Sequence, residues 1–273
     1  MRLALIGLLM RVLIGSALPF PVMAEVKLLV TVVDPKTGEA VTDLKAADFA
    51  VDDRGAPRAV LNAEFTSTPV DAVLLVDASQ VGLQARSVAR GLIAGLGASE
   101  QMSMVGFDTS PEQVQEFTSD KALLTKAIDQ LKPGRDPDVV GAVYASADTG
   151  FQKSRARRVI LLISAGRDAG GRVSPEATLK TARKNMVSVF LISPQGVPRW
   201  IEELAERTGG ATFNLREMSK TVNDPATGAG QRILAAARGH YTLTLAGNLA
   251  LGEKLKIEVP AKGKFAISSL PLD

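Results

Sequence analysis

Val73-Leu74-Leu75-Val76-Asp77-Ala78-Ser79-Gln80-Val81 joins an unbroken apolar run to an acid and a hydroxyl. An apolar run without polar alternation reads as a strand buried on both faces, which is the pattern of parallel sheets covered by helices. The Asp and Ser stand just ahead of the amphipathic stretch Leu83–Leu96. They mark the carboxyl edge of an open α/β sheet, where ligands settle.

Outward from that stretch the alternation of apolar runs and amphipathic segments continues from Asp71 to about Leu215. Strands are expected at Ala72–Val76, Met102–Phe107, Val159–Ile163 and Val187–Ile192, with a short last one at Ala211–Leu215. Helices are expected at Leu83–Leu96, Asp120–Leu131, Val139–Phe151, Pro175–Lys184 and Pro198–Thr208, and Gln113–Phe117 adds an antiparallel edge. The fold class is therefore α/β, a doubly wound and mainly parallel sheet with helices on both faces, over residues 70–222. Residues 25–69 form a small β module, with strand-like Val26–Val33, a turn at Pro35–Gly38 and a second strand at Phe49–Asp53. Residues 223–230, rich in Gly, Pro and Ala, read as a linker. Residues 231–273 follow as a helix (Gln231–Ala237) and strands near Tyr241–Leu245, Lys254–Val259 and Lys264–Ser268. Neither β segment is long enough to hold a core alone, so the two are expected to pack together.

Residues 1–24 combine Arg2 and Arg11 with apolar runs, contain no acidic residue and end at the small-residue exit Val22-Met23-Ala24. This is the make-up of a secretory leader cleaved after Ala24, and the apolar segment Val12–Phe20 is too short to span a bilayer; an uncleaved anchor or a buried N-terminal helix is the alternative. Export to the periplasm or the medium is expected, with no stable membrane span after cleavage. The chain has no cysteine, which excludes disulfides, thiolate metal ligands and a lipidated N-terminal Cys. Removing Arg2 and Arg11 from 32 basic residues leaves 30 against 29 acidic ones, so the exported chain is nearly neutral. Nothing global then draws it to nucleic acid or an anionic membrane. The four basic residues of Lys153–Arg158 read as a solvated helix end.

The segment Asp77-Ala78-Ser79-Gln80-Val81 resembles the Asp-x-Ser-x-Ser loop of von Willebrand factor A domains. In that family this loop, a Thr from a second loop and an Asp from a third hold Mg²⁺, and an acidic residue of the ligand completes the shell. The resemblance puts Asp77 and Ser79 on the first two ligand positions, with Val81 in place of the second Ser. Gly134 to Gly141 is similar to the second loop, with Asp136 at the Thr position, and Val159 to Gly166 to the third, with Ala165 where the Asp belongs. The flanks around Val30–Asp34, Val41–Leu44 and Asp48–Val51 look like the lead-in of a secreted bacterial group called von Willebrand factor A-related. The resemblance thus implies an exported protein-binding or matrix-binding module with a degenerate metal-ion-dependent adhesion site. Its metal positions are Asp77, Ser79 and Asp136, and its ligand face is Asp77, Ser79, Gln80, Arg135, Asp136, Arg167 and Asp168. Mg²⁺ is expected to bind weakly or not at all, and no other cofactor is implied. If the loops fold as in the family, Asp136 faces Asp77, and Arg167 or Arg135 stands in for the ion between them.

Each of these residues also has a plainer role. Asp77 and Ser79 suit helix caps, Asp136 and Asp138 suit a helix dipole, and Asp168 suits a solvated loop. Catalysis has little to stand on. Asp77-Ala78-Ser79 is superficially like the haloacid dehalogenase-type phosphatase loop, but Ser79 occupies the place of the second Asp. A Ser-His-Asp triad would have to use His240, the only histidine, and no phosphate-binding glycine loop is present. No catalytic residue is expected, and the partner is a protein. A metal-dependent adhesion module with altered ligands and a hydrolase with an apex site of another design are the rival readings.

Overall fold

Strands that are apolar on both faces can be buried only between two layers of helices, and the central sheet is built that way. The computed structural model describes residues 24–152, 154–218, 227–247 and 255–272. The chain begins with β1 (Glu25–Val33), β2 (Ala50–Asp53), β3 (Ala56–Arg58) and β4 (Val60–Ser67). It continues through β5 (Val70–Asp77), α1 (Leu83–Ala94), β6 (Gln101–Phe107), β7 (Pro111–Thr118), α2 (Lys121–Gln130), α3 (Val139–Thr149) and β8 (Arg157–Ile163). Next come α4 (Pro175–Lys184), β9 (Val187–Ser193), α5 (Arg199–Glu206), β10 (Ala211–Asn214) and the single turn α6 (Leu215–Met218). Last are α7 (Thr227–Arg238), β11 (Gly239–Ala246), β12 (Leu255–Glu258) and β13 (Ala266–Leu272).

The central sheet has the order β10-β9-β8-β5-β6-β7, parallel except for β7, which runs antiparallel to β6. Every residue of β5 is buried. Val73 and Leu75 pack with α3, α4 and α5 on one face, and Ala72, Leu74 and Val76 with α1, α2 and α7 on the other. Each Val or Leu among them contributes about 1.5–3 kcal/mol by leaving water, which is why the apolar run forms the middle of the sheet. Helix starts are set locally: Asp120 accepts the N–H groups of Ala122 and Leu123 at α2, and Ser174 accepts that of Ala177 at α4.

The remaining strands make a sandwich from both flanks. Four antiparallel strands in the order β13-β1-β11-β4 face three in the order β12-β2-β3. Leu28, Val30, Val32, Tyr241, Leu243 and Leu245 meet Val51 and Phe49 in its core. Tyr241 lies edge-on to Phe49 and Phe65, accepts from the Leu44 N–H and donates to the Val41 carbonyl. The alternate residues of β1 turn toward the α/β domain: Val33 joins its core and the Thr31 hydroxyl donates to the Gly209 carbonyl.

Several expectations are corrected. The β module also holds β4, a strand not placed from the sequence, and the strand expected to reach Leu215 stops at Asn214, whose side chain caps α6 through the N–H groups of Arg216 and Glu217. The last helix starts at Thr227, so 227–230 of the expected linker are helical; 223–226 lie outside the described residues. The final strand is Ala266–Leu272, shifted from Lys264–Ser268. The basic cluster is not a solvated helix end. Arg157 opens β8 and turns inward, donating to the carbonyls of Gly209 and Ala237 and lying 5.7 Å from the Phe190 ring centre, while Arg158 donates to the Asn185 carbonyl. Burial pushes the Arg157 guanidinium down to about 9, so it stays charged at neutral pH. Lys153 and residues 1–23, including the expected leader up to Met23, lie outside the described residues. No described helix is long and apolar enough to cross a membrane.

Candidate functional site

From β5 the chain crosses by α1 to β6 on one side of the sheet, whereas from β8 it crosses by α4 to β9 on the other. The carboxyl ends of β5 and β8 therefore flank the switch point, the crevice where α/β sheets hold ligands. Asp77 closes β5 with no exposed surface. Its Oδ1 accepts from the Ser79 N–H at 2.8 Å and the Ser79 hydroxyl at 2.6 Å, and its Oδ2 accepts from the Ser164 hydroxyl, just past β8, at 2.8 Å. Asp77 is thus the cap of the short 3₁₀ turn Ala78–Gln80 and a bridge across the crevice. Gln80 Nε2 donates to the Ser79 hydroxyl oxygen at 3.0 Å, and the Gly166 N–H donates to the Ser164 hydroxyl oxygen at 3.0 Å.

The second loop is organised by a residue that the sequence reading does not single out. Asp108, just past β6, accepts at Oδ1 from the Arg135 N–H at 2.9 Å and the Asp136 N–H at 2.7 Å, and its carbonyl accepts from the Asp138 N–H at 2.7 Å. The Gly134 N–H reaches the Ala78 carbonyl at 3.0 Å and ties this loop to the first. Asp138 caps α3 through the Gly141 N–H. Asp168 is not simply a solvated residue: its Oδ1 accepts from the Val139 N–H at 2.8 Å and the Val140 N–H at 3.4 Å, fastening the third loop to the start of α3. The Ala169 N–H adds a bond to the Pro137 carbonyl at 2.8 Å.

The structure thus brings Asp77, Ser79 and Gln80 into one hydrogen-bonded group, with Arg135, Asp136, Arg167 and Asp168 exposed around it. Arg135 and Arg167 do not stand in for an ion: among the described residues neither pairs with Asp77 or Asp136, and hydroxyl and N–H donors occupy the Asp77 carboxyl instead. Ala165 is buried and Val81 packs against the core, so neither position offers oxygen. Among the described residues no group of three His, Cys, Asp or Glu side chains is placed to share a metal ion. Two of the five positions that hold the ion in the family thus bring no side-chain oxygen here, and Mg²⁺ demands a near-octahedral oxygen shell.

His240 sits at the other end of the sheet, so it forms no triad with Ser79. It faces Arg157 at the start of β8, with 3.4 Å from its Nδ1 to the Arg157 Nη1. It is half-buried, unlike an ordinary surface residue. Burial, and then the Arg157 charge, push its imidazole down to about 4 against the opposing pull of the Arg238 carbonyl.

The fold and these loops can be set beside known proteins. A von Willebrand factor type A protein from Catenulispora acidiphila superposes with a TM-score of 0.51 at 10% identity, covering 92% of this chain and 73% of that one. Proximal thread matrix protein 1 from the mussel byssus, with a zinc-occupied MIDAS motif, gives a TM-score of 0.52 at 16% identity and covers 68% of this chain and 50% of that one. This chain thus spans half the length of the mussel protein, and at such identities the likeness is one of fold. No curated protein matches the sequence. The family model for the von Willebrand factor type A domain matches residues 71–225, the whole stretch from β5 past β10. With more than half of the chain inside that match, the protein belongs to the von Willebrand factor type A domain family, whose members are modules that typically mediate protein–protein interactions.

Proposed function

We propose that the protein is an exported binding module whose protein partner docks on the apex of the α/β domain without the help of a metal ion. The ligand face comprises Asp77, Ser79, Gln80, Arg135, Asp136, Arg167 and Asp168, and the family's metal positions at Asp77, Ser79 and Asp136 are vestigial. The observation that carries this reading is the Asp77 carboxyl, both of whose oxygens already accept from protein donors. An ion would compete with those donors for the carboxyl's lone pairs, and displacing the Ser164 hydroxyl would leave it without its buried acceptor, a cost of about 1–3 kcal/mol. Nor would the ion find the missing ligands at Val81 and Ala165. Arg2, the apolar run and the Ala24 exit support export to the periplasm or the medium.

A photo-crosslinking residue placed at Gln80 tests this in the cells that make the protein, with the same residue at exposed Leu61 on β4 as the comparison. Adducts should form from position 80, not from 61, and survive chelation by EDTA. Absence of adducts from position 80 would remove the apex as the binding face, and their loss in EDTA would establish the metal-dependent reading instead.

A further inference from the structure

We infer that the free edge of β12 is an interface for a second copy of this chain, the two strands pairing antiparallel about Ile257 so that Lys256 of each faces Glu258 of the other.

The three sheets end in β13 and β4, in β10 and β7, and in β12 and β3. An edge strand offers unpaired N–H and C=O groups, and proteins blunt such edges with proline, with charge or with cover from another element. β3 carries Pro57 and β13 carries Pro271, neither of which has an N–H to give. β7 carries the acids Glu112 and Glu116 and no base, β4 carries Glu64 as its one charge, and β10 carries none. β12 differs from all of these. It reads Leu255-Lys256-Ile257-Glu258, has no proline, and is the one edge among the described strands with charges of both signs. No described strand pairs with its outer side, and Leu255 to Val259 all border an open cavity of about 940 Å³.

The order of the residues decides what fits that edge. Leu255 and Ile257 pack against the sandwich core, while the Lys256 and Glu258 side chains are 67% and 55% exposed. In a symmetric antiparallel pair, residues of one face stand opposite residues of the same face, so the two-fold axis passes through a residue and not between two. An axis through Leu255, Lys256 or Glu258 would set like charges opposite each other, which is unfavourable. An axis through Ile257 sets Lys256 against Glu258 twice, Ile257 against its own copy, and Leu255 against Val259. The apolar face of one sheet then runs on into that of the other. On the outer face the four charges close a ring, since Lys256 Nζ already lies 2.8 Å from Glu258 Oε1 within each strand. A seam this short buries little, so the dimer is weak and depends on concentration. It carries two apexes, and a partner with repeated sites would be held by both at once; that consequence, unlike the pairing itself, rests on the apex as the binding face.

Sedimentation velocity on the exported chain, from dilute to concentrated solution, tests the inference. The parent should pass from monomer to dimer. Lys256→Glu and Glu258→Lys should each weaken the dimer about tenfold, because either reversal sets like charges opposite each other at both ends of the seam. The double variant Lys256→Glu with Glu258→Lys should dimerise as the parent does. An equal mixture of the two single variants should also dimerise, since one chain then brings two acids and the other two bases, and recovery in the mixture shows that both variants are folded. A parent that stays monomeric at every concentration, a dimer indifferent to the single reversals, or a mixture that stays monomeric would overturn the inference.

Discussion

The Asp77 carboxyl is fully enclosed and takes its donors from two different loops, so the crevice between β5 and β8 is closed by one hydroxyl, that of Ser164. Ser164→Ala leaves Oδ2 without that donor at a position with no exposed surface. The substitution should lower stability by about 1–3 kcal/mol, read as a lower urea midpoint with an unchanged slope. An unchanged midpoint would mean that the bridge carries no weight. At this scale the site was half legible. Asp77 and Ser79 announce themselves because an acid and a hydroxyl end a continuous apolar run. Asp108 sends the same signal at the end of Met102–Phe107, but no resemblance points to it, and its task is to hold backbone, which leaves no mark on residue type. Ser164 escapes for another reason: its partner lies 87 residues away in the chain, and a contact made through space has no linear pattern.

Among the elements, α7 shows most directly how tertiary contact overrules local preference. Thr227 to Gly230 look like linker because glycine costs a helix about 1 kcal/mol against alanine. Gly230 is helical all the same, since α7 crosses α1 so closely that an added Cβ would sit 2.5 Å from the Leu92 nitrogen and 2.6 Å from the Val88 carbonyl oxygen. Those are backbone atoms and cannot rotate aside. Gly230→Ala, although a better helix former, should therefore destabilise the protein, by about 1–3 kcal/mol of overpacking less the propensity gained. Thermal unfolding checks the sign: a raised melting temperature would show that α7 is free to shift away from α1. The central strands were legible to within a residue or two because burial on both faces leaves no polar alternation to mislead. β4 was not, since its burial follows no clean period and Asn62 and Glu64 interrupt its apolar residues. Arg157 was misplaced because a run of charges hides the two-residue period that puts it on the same face of β8 as Val159 and Leu161.

At the scale of the whole molecule, the sandwich and the α/β domain meet at Arg157, which reaches Gly209, Ala237 and Ser188 in the domain and His240 on β11. Beside it, Arg238 at the end of α7 pairs with Glu100 just ahead of β6. The joint is sensitive to acid in a defined direction. An unfolded chain protonates His240 near pH 6.5 and the folded one only near 4, so between those values the unfolded state binds more protons and stability falls as pH falls. The contribution is fully present above about pH 6.5. Urea midpoints at pH 7 and pH 5 should therefore differ more for the parent than for His240→Gln; an equal drop in both would free His240 of the effect.

The antiparallel pairing of β1 with β13 has a mechanical side as well. Lys27 lies opposite Leu272, so the start of one strand and the end of the other leave the sandwich side by side. Tension drawn between those two points would peel the ladder open one rung at a time, like a zipper, with no row of bonds sharing the load in shear. The first part to yield on a stretched tether is then the sandwich, and the parallel sheet that carries the apex is spared until that seam has run its length.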